Sequence, residues 1–191
     1  MKDVARSLST CRYHAVRFYE NEKSLAQMVA EFLADGLMDG SPGMILATAA
    51  QRAAITRELI VRDVDVVSLQ RSGDLTLLDA EDTLFSFMTN DTLDANAFTD
   101  RMSAFIERAC GGRTKWTVRV YGQMVDVLWQ QGKRELAIDL EMLWNQLANT
   151  QHFSLLCGYA MGSFYKDAHV NDIRGQHTHV VSADGTAVAV G

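Results

Sequence analysis

The first candidate for chemistry in this sequence is the segment TAAQR at residues 48–52, which follows an apolar run at 44–47 and precedes a helical pattern. Strand, loop and helix in this order build many nucleotide-binding sites. In such a loop, glycines let backbone N–H groups turn toward the phosphates, and a lysine reaches the terminal phosphates. Here there is no glycine and no lysine, and Arg52 is the only cation. We therefore expect no conventional ATP hydrolysis, whereas an anion held by Arg52 and the helix N-terminus, or a phosphate-free ligand, stays an alternative.

Acidic and imidazole side chains elsewhere do not assemble a catalytic set from their spacing. Asp79, Glu81 and Asp82 end a predicted strand, where helix capping explains them better than magnesium binding because no phosphate loop accompanies them. His177 and His179 would share one face of a predicted strand, but no third ligand of the usual spacing is near them. The sequence therefore predicts no catalytic residues, no metal and no cofactor.

Neutral hydrogen-bonding side chains fall at the carboxyl ends of predicted strands. Thr48 follows the first apolar run, Gln123 follows a strand rich in β-branched and aromatic residues, and Tyr159 lies near the end of the last apolar strand. Parallel α/β sheets bind their ligands at these strand ends. We therefore predict that these three residues contact a ligand. Cys157, in the same strand as Tyr159, is interpreted as a buried free cysteine.

The most regular predicted helix, at residues 133–149, carries a carboxylate beside its leucine stripe. Glu141 lies about one turn from Trp144, and Trp129 lies on the short helix before it. A small, weakly polar molecule would suit a pocket lined by such groups. Core packing of the tryptophans and a solvated or salt-bridged Glu141 are the alternative interpretations.

The composition of the chain indicates an acidic protein that forms one domain and keeps its cysteines reduced. The 191 residues include 48% hydrophobic ones, and the net charge of −6 argues against direct nucleic-acid binding. Its three cysteines are far apart and form no CxxC pair. No N-terminal run resembles a signal peptide and no apolar stretch reaches the roughly 20 residues of a membrane span. We therefore expect a cytoplasmic protein that does not cross a membrane.

Apolar strands alternate with amphipathic helices through most of the chain. This alternation predicts a three-layer α/β fold with a mainly parallel central sheet. The strands predicted for its parallel core are 44–48, 65–69, 75–79, 117–121 and 153–159. The expected organisation is an N-terminal arm at 1–12, one domain at 13–181 and a C-terminal tail at 182–191.

Several segments together resemble a known family: "HAVRFYEN" near the start, "VRVYGQMVDVLWQQGKRELAIDLEMLWNQL" in the middle and "HTHV" late in the chain. They are similar to the MEDS domain, the sensory domain of methanogens, methylotrophs and the dichloromethane regulator DcmR. The resemblance implies a RecA-like core that has lost the phosphate-binding lysine. In that family the spacing of His14 and Tyr19 recurs, which implies a ligand or structural-network role for both. The family more often has a glutamate where this chain has Gln123.

The resemblance also implies a non-enzymatic sensory function. Such a domain would bind a small molecule or a partner protein and act on a histidine kinase, an anti-sigma factor or a transcription regulator. A homodimer is compatible with this function. The alternative is a divergent nucleotide-binding protein or ATPase that uses Arg52 and an unconventional loop.

Overall fold

The fold is a seven-stranded sheet with helices on both faces, in a computed structural model that describes residues 13–113, 117–163 and 170–190. The predicted N-terminal arm at 1–12 lies outside the described residues. The strands of the sheet are β1 (His14–Tyr19), β2 (Gly43–Ala47), β3 (Leu75–Asp79), β6 (Val118–Gly122), β7 (Phe153–Ala160), β8 (His179–Val181) and β9 (Ala187–Ala189). A separate two-stranded hairpin contains β4 (Met88–Thr89) and β5 (Thr92–Leu93).

Helices connect most of the strands. They are α1 (Glu22–Met38), α2 (Ala49–Val61), α3 (Val66–Ser72), α4 (Ala80–Phe85), α5 (Ala95–Cys110), α6 (Met124–Gln130), α7 (Arg134–Leu147) and α8 (Val170–Gly175). Side-chain caps mark several starts: Asn21 accepts from two backbone N–H groups of α1, and Asp94 does the same for α5. Among the described residues, no helix is both long and apolar enough to cross a bilayer.

The sheet has the order β3-β2-β6-β7-β1-β8-β9. All neighbours pair in parallel except β8 and β9, which are antiparallel. The predicted α/β fold with a mainly parallel sheet is therefore confirmed. Residues 187–189, within the predicted C-terminal tail, form the last strand of this sheet.

One predicted strand, 65–69, is wrong, because these residues belong to α3 and its N-cap. The Asp65 side chain accepts a hydrogen bond from the Ser68 N–H, and Gly73 ends the helix in the left-handed region at φ 83°. Val66 is buried but Val67 is 56% exposed. A short apolar run of this kind fits helix or strand equally, and the two caps decide in favour of the helix.

Each central strand contributes to two hydrophobic cores, one on each face of the sheet. In β2, Met44 and Leu46 belong to the core beneath α4 to α7, whereas Ile45 and Ala47 belong to the core beneath α1 and α2. Alternation of side chains along a strand produces this division. Because both faces are covered, a polar group inside either core needs a partner from the protein itself.

Candidate functional site

At the predicted ligand end of the sheet, the polar side chains hydrogen-bond to one another and to the backbone. The Gln123 Oε1 accepts from the Thr48 N–H at 3.0 Å and from the Thr48 hydroxyl at 3.3 Å. Arg52 Nη1 lies 2.7 Å from Asp79 Oδ2 and also donates to the Ala47 carbonyl. The backbone amide and the cation that a phosphate would need are thus engaged within the protein.

Asp79 combines this ion pair with the capping role predicted for it. Its Oδ1 accepts from the N–H groups of Glu81 and Asp82 at the start of α4, which confirms the prediction. The hydrogen bond from Arg52 is the main cause that lowers the pKa of the Asp79 carboxyl. Asp79 therefore stays ionised, and it holds Arg52 over the strand ends.

A second polar network surrounds Asp126 in α6. The Asp126 side chain is fully buried and accepts from Tyr19 Oη at 2.8 Å, Gln130 Nε2 at 2.8 Å and the Ala160 N–H at 3.0 Å. Burial raises the pKa of both Tyr19 and Asp126, and the side chain of Gln123 partly opposes this effect at each of them. Burial raises the pKa of the Asp126 carboxyl, and the hydrogen bonds offset only part of that effect.

The raised pKa of Asp126 predicts a pH-dependent contribution to stability. Because the folded protein binds this proton more tightly than the unfolded chain does, the contribution is present at acid pH and is lost as pH rises through the folded pKa. We expect Asp126→Asn to flatten the dependence of the free energy of unfolding on pH, from the ordinary aspartate range upward. Urea unfolding at a series of pH values measures it, with the exposed Asp139→Asn as control. Parallel curves for the wild type and Asp126→Asn would contradict the prediction.

A third cluster consists of five buried groups against the face of the sheet that α6 and α7 cover: His14, Glu141, Cys157, His177 and Tyr159. Glu141 is at its centre. One carboxylate oxygen lies 3.0 Å from His14 Nε2 and 3.5 Å from Cys157 Sγ. The other accepts from Tyr159 Oη at 2.8 Å and lies 3.3 Å from His177 Nε2. His14 Nε2 and Cys157 Sγ are 3.4 Å apart.

The parallel pairing of β1 with β7 places two of these groups. In the register, His14 is opposite Leu155 and Val16 is opposite Cys157. His14 and Cys157 therefore share one face of the sheet and lie two positions apart along the strands. The helix α7 packs on this face and directs Glu141 between them.

Oxygen acceptors outside the cluster orient both imidazole rings. His177 Nδ1 lies 2.7 Å from the Ile173 carbonyl, which can only accept, so Nδ1 carries a proton. His14 Nδ1 lies 2.9 Å from Asn145 Oδ1. That amide is oriented by its Nδ2, which donates to the Gln176 carbonyl at 2.9 Å. Both rings consequently direct Nε2 toward Glu141.

The charges within the cluster are strongly coupled. Burial alone would raise the pKa of the Glu141 carboxyl, but the adjacent His177 and His14 reverse this and hold the pKa well below its usual range. Burial and the Glu141 charge raise the pKa of both the Cys157 thiol and the Tyr159 hydroxyl. An ionised carboxylate thus sits in the core, surrounded by groups that can donate to it.

The structure separates the predicted ligand-binding residues into distinct groups. It brings His14, Glu141 and Tyr159 into one cluster. Thr48, Gln123 and Arg52 lie at the strand ends, and Tyr19 lies beside Asp126. Ligand binding by any of these residues stays a prediction, whereas a solvated position for Glu141 is wrong because its side chain is fully buried under the sheet.

The two tryptophans predicted to line a pocket, Trp129 and Trp144, lie in the apolar core. Trp144 makes edge contacts with Phe98 and Phe153, with ring centroids 5.1 Å and 5.6 Å apart. Trp129 meets the ring of Tyr159 edge-on at 5.7 Å, which places it beside the Glu141 cluster.

From the sequence, His177 was considered as a metal ligand but not chosen, and Asp126 was not singled out. The expectation that His177 and His179 share a strand face is wrong, because β8 begins at His179 and the His177 ring turns inward to Glu141. No local pattern signals this placement. The sequence does contain a feature that could have identified Asp126 as a functional candidate: it is the one charged residue in the apolar helix MVDVLWQ.

The fold and its sites define a class of protein: an α/β domain with a mainly parallel sheet. At its strand ends the polar side chains hydrogen-bond to one another, and its core contains a buried cluster of ionisable groups. The chain belongs to the MEDS family, described as the methanogen/methylotroph, DcmR sensory domain, whose family model matches residues 13–178. This match confirms the resemblance drawn from the sequence, and it suggests a sensory role. No curated protein matches the chain significantly.

Proposed function

We propose that this chain is a non-enzymatic sensory domain that binds a small molecule or a partner protein and acts on a histidine kinase, an anti-sigma factor or a transcription regulator. The observation that carries the proposal is the occupation of the strand ends by Gln123, which takes the Thr48 N–H that would otherwise face a phosphate. Membership of a sensory family supports the same conclusion. The input is then a ligand or contact other than a nucleoside triphosphate.

The pairing of Arg52 supports the absence of catalysis. A cation that stabilises a transferring phosphoryl group must be available to the transition state. Arg52 instead bridges Asp79 and two backbone carbonyls, of Ala47 and Leu78. Its release for an anion would leave Asp79 and these carbonyls without a strong donor.

We expect calorimetry to show no Mg-ATP binding tighter than the millimolar range. The reason is the lack of glycine and lysine in the loop, together with the engaged Thr48 amide and Arg52. Arg52→Ala is the matched variant, and it is expected to give the same null result as the wild type. Micromolar affinity that is lost in Arg52→Ala would favour the alternative, a divergent ATPase.

A thermal-shift screen tests the proposal that the domain binds a small molecule. Small, weakly polar compounds are compared with ATP and ADP in the presence of Mg²⁺. A ligand that binds only the folded state raises the melting temperature in proportion to the logarithm of its concentration. We expect concentration-dependent stabilisation from the weakly polar compounds and none from the nucleotides; the reverse pattern would overturn the proposal.

A further inference from the structure

We propose that His14, Glu141, Cys157 and His177 form a closed four-ligand site for a divalent transition-metal ion of the zinc class. One ligand atom from each residue lies within 4.8 Å of the other three, and all four residues are buried. This inference goes beyond the sensory function and does not depend on it.

Three of the four ligand atoms already have nearly the spacing of a tetrahedral site, and the fourth, His177 Nε2, lies close to the same carboxylate group. Zinc–nitrogen bonds of about 2.0–2.1 Å and zinc–sulfur bonds of about 2.3 Å place tetrahedral ligand atoms about 3.3–3.6 Å apart. His14 Nε2 and Cys157 Sγ are 3.4 Å apart, and Cys157 Sγ and Glu141 Oε2 are 3.5 Å apart. His14 Nε2 is 3.0 Å from Glu141 Oε2, and His177 Nε2 is 3.3 Å from Glu141 Oε1. All four ligand atoms lie within 4.8 Å of one another, so the pairs that are farthest apart would have to close by up to about 1.2–1.5 Å to complete the tetrahedron.

The outer partners of the two histidines are those of metal ligands. A metal-bound imidazole usually donates its other N–H to a carbonyl or carboxylate, which fixes the tautomer and the ring orientation. The Ile173 carbonyl and Asn145 Oδ1 take this position at His177 and His14. His177 Nε2 is buried, and it has no partner in hydrogen-bonding geometry among the described residues, although Glu141 Oε1 is close. In the neutral ring, the electron pair on that nitrogen is directed into the cluster.

Charge balance also favours a divalent cation. With neutral rings, two nitrogen lone pairs face the Glu141 carboxylate; with protonated rings, two cations share one buried anion. A divalent ion with one carboxylate, one thiolate and two neutral imidazoles sums to zero charge. The Cys157 proton leaves to solvent when the thiolate binds, so binding releases protons.

The chemistry of the four ligands indicates which metal ion the site would bind and whether the ion would be structural or catalytic. Thiolate and imidazole select zinc or cobalt over magnesium or calcium, which prefer oxygen. Four protein ligands leave no open position for water, as in non-catalytic sites. The ligands come from β1, α7, β7 and the segment after α8, so bound metal would tie that last segment to the sheet.

Cobalt titration of the metal-free 191-residue chain tests the site. We expect one equivalent of Co²⁺ to give intense tetrahedral d–d absorption and a sulfur-to-cobalt charge-transfer band, both displaced by one equivalent of Zn²⁺. Cys157→Ser should lose the charge-transfer band, whereas Cys110→Ser, at the half-buried cysteine outside the cluster, should keep it. Asn145→Ala should weaken affinity about 10–100-fold through loss of the His14 partner.

Circular dichroism of each variant establishes that it is folded, and the wild type supplies a readout that needs no variant. Zinc should raise the melting temperature of the metal-free wild type, and a chelator should reverse the rise. Substoichiometric binding, a spectrum unchanged in folded Cys157→Ser, or no zinc-dependent stabilisation would each overturn the proposal. None of these results depends on a signalling output, so the proposed sensory function would be unaffected by them.

Discussion

Replacing Glu141 by alanine is expected to lower the free energy of unfolding by about 3–5 kcal/mol, the usual cost of removing one member of a buried ionic cluster. The Tyr159 hydroxyl would lose its acceptor and both histidines would lose their anion, in a core where water cannot replace it. Urea unfolding with chelator present measures this loss apart from any metal contribution.

Two variants calibrate the Glu141 result. Glu141→Gln keeps an acceptor for Tyr159 and is expected to cost less than the alanine substitution, while Asp139→Ala, exposed on the same helix, is expected to change stability by less than about 0.5 kcal/mol. Equal and small effects of all three would show that Glu141 does not hold the cluster together.

Replacing Trp144 by alanine is expected to cost about 3–5 kcal/mol, as is usual for a large aromatic side chain in a core. Trp144 is 1% exposed and lies between Phe98 and Phe153, so its removal leaves a cavity that these rings cannot fill by small movements. The midpoint of urea unfolding measures the change. The outcome also separates core packing from the predicted ligand role, because a mainly ligand-binding side chain contributes little in the absence of ligand.

Two further substitutions serve as comparisons for Trp144→Ala: Trp144→Phe and the substitution of a surface residue on the same helix. Its indole N–H is buried without an acceptor among the described residues, so Trp144→Phe removes volume but also an unpaired donor and should cost clearly less. Met142→Ala, at a 40% exposed position on the same helix, should be nearly neutral. A Trp144→Ala loss as small as that of Met142→Ala would contradict the packing assignment.

The alternation of elements could be read from the sequence because its physical causes are local. Continuous apolar runs of five to eight residues, such as β2 and β7, indicate strands covered on both faces, and the leucine stripe of α7 has the period of a helix. The lack of glycine and lysine at 48–52 is likewise a property of the chain alone. The wrong prediction of a strand at 65–69 also has a local cause. A run of five residues is too short for its hydrophobic period to distinguish a helix from a strand.

The buried cluster was decided only by the tertiary structure. Glu141 and Cys157 are 16 residues apart, but His14 and Cys157 are 143 apart, and parallel pairing of the first strand with the seventh brings them together. Strand order in a parallel sheet depends on how helices cross over it, which no local pattern encodes. His177 joins through a loop whose conformation is fixed by Asn145 and Ile173. By itself, the sequence therefore determined the layers and the missing phosphate loop, whereas the pairing of distant strands determined which ionisable groups share the core.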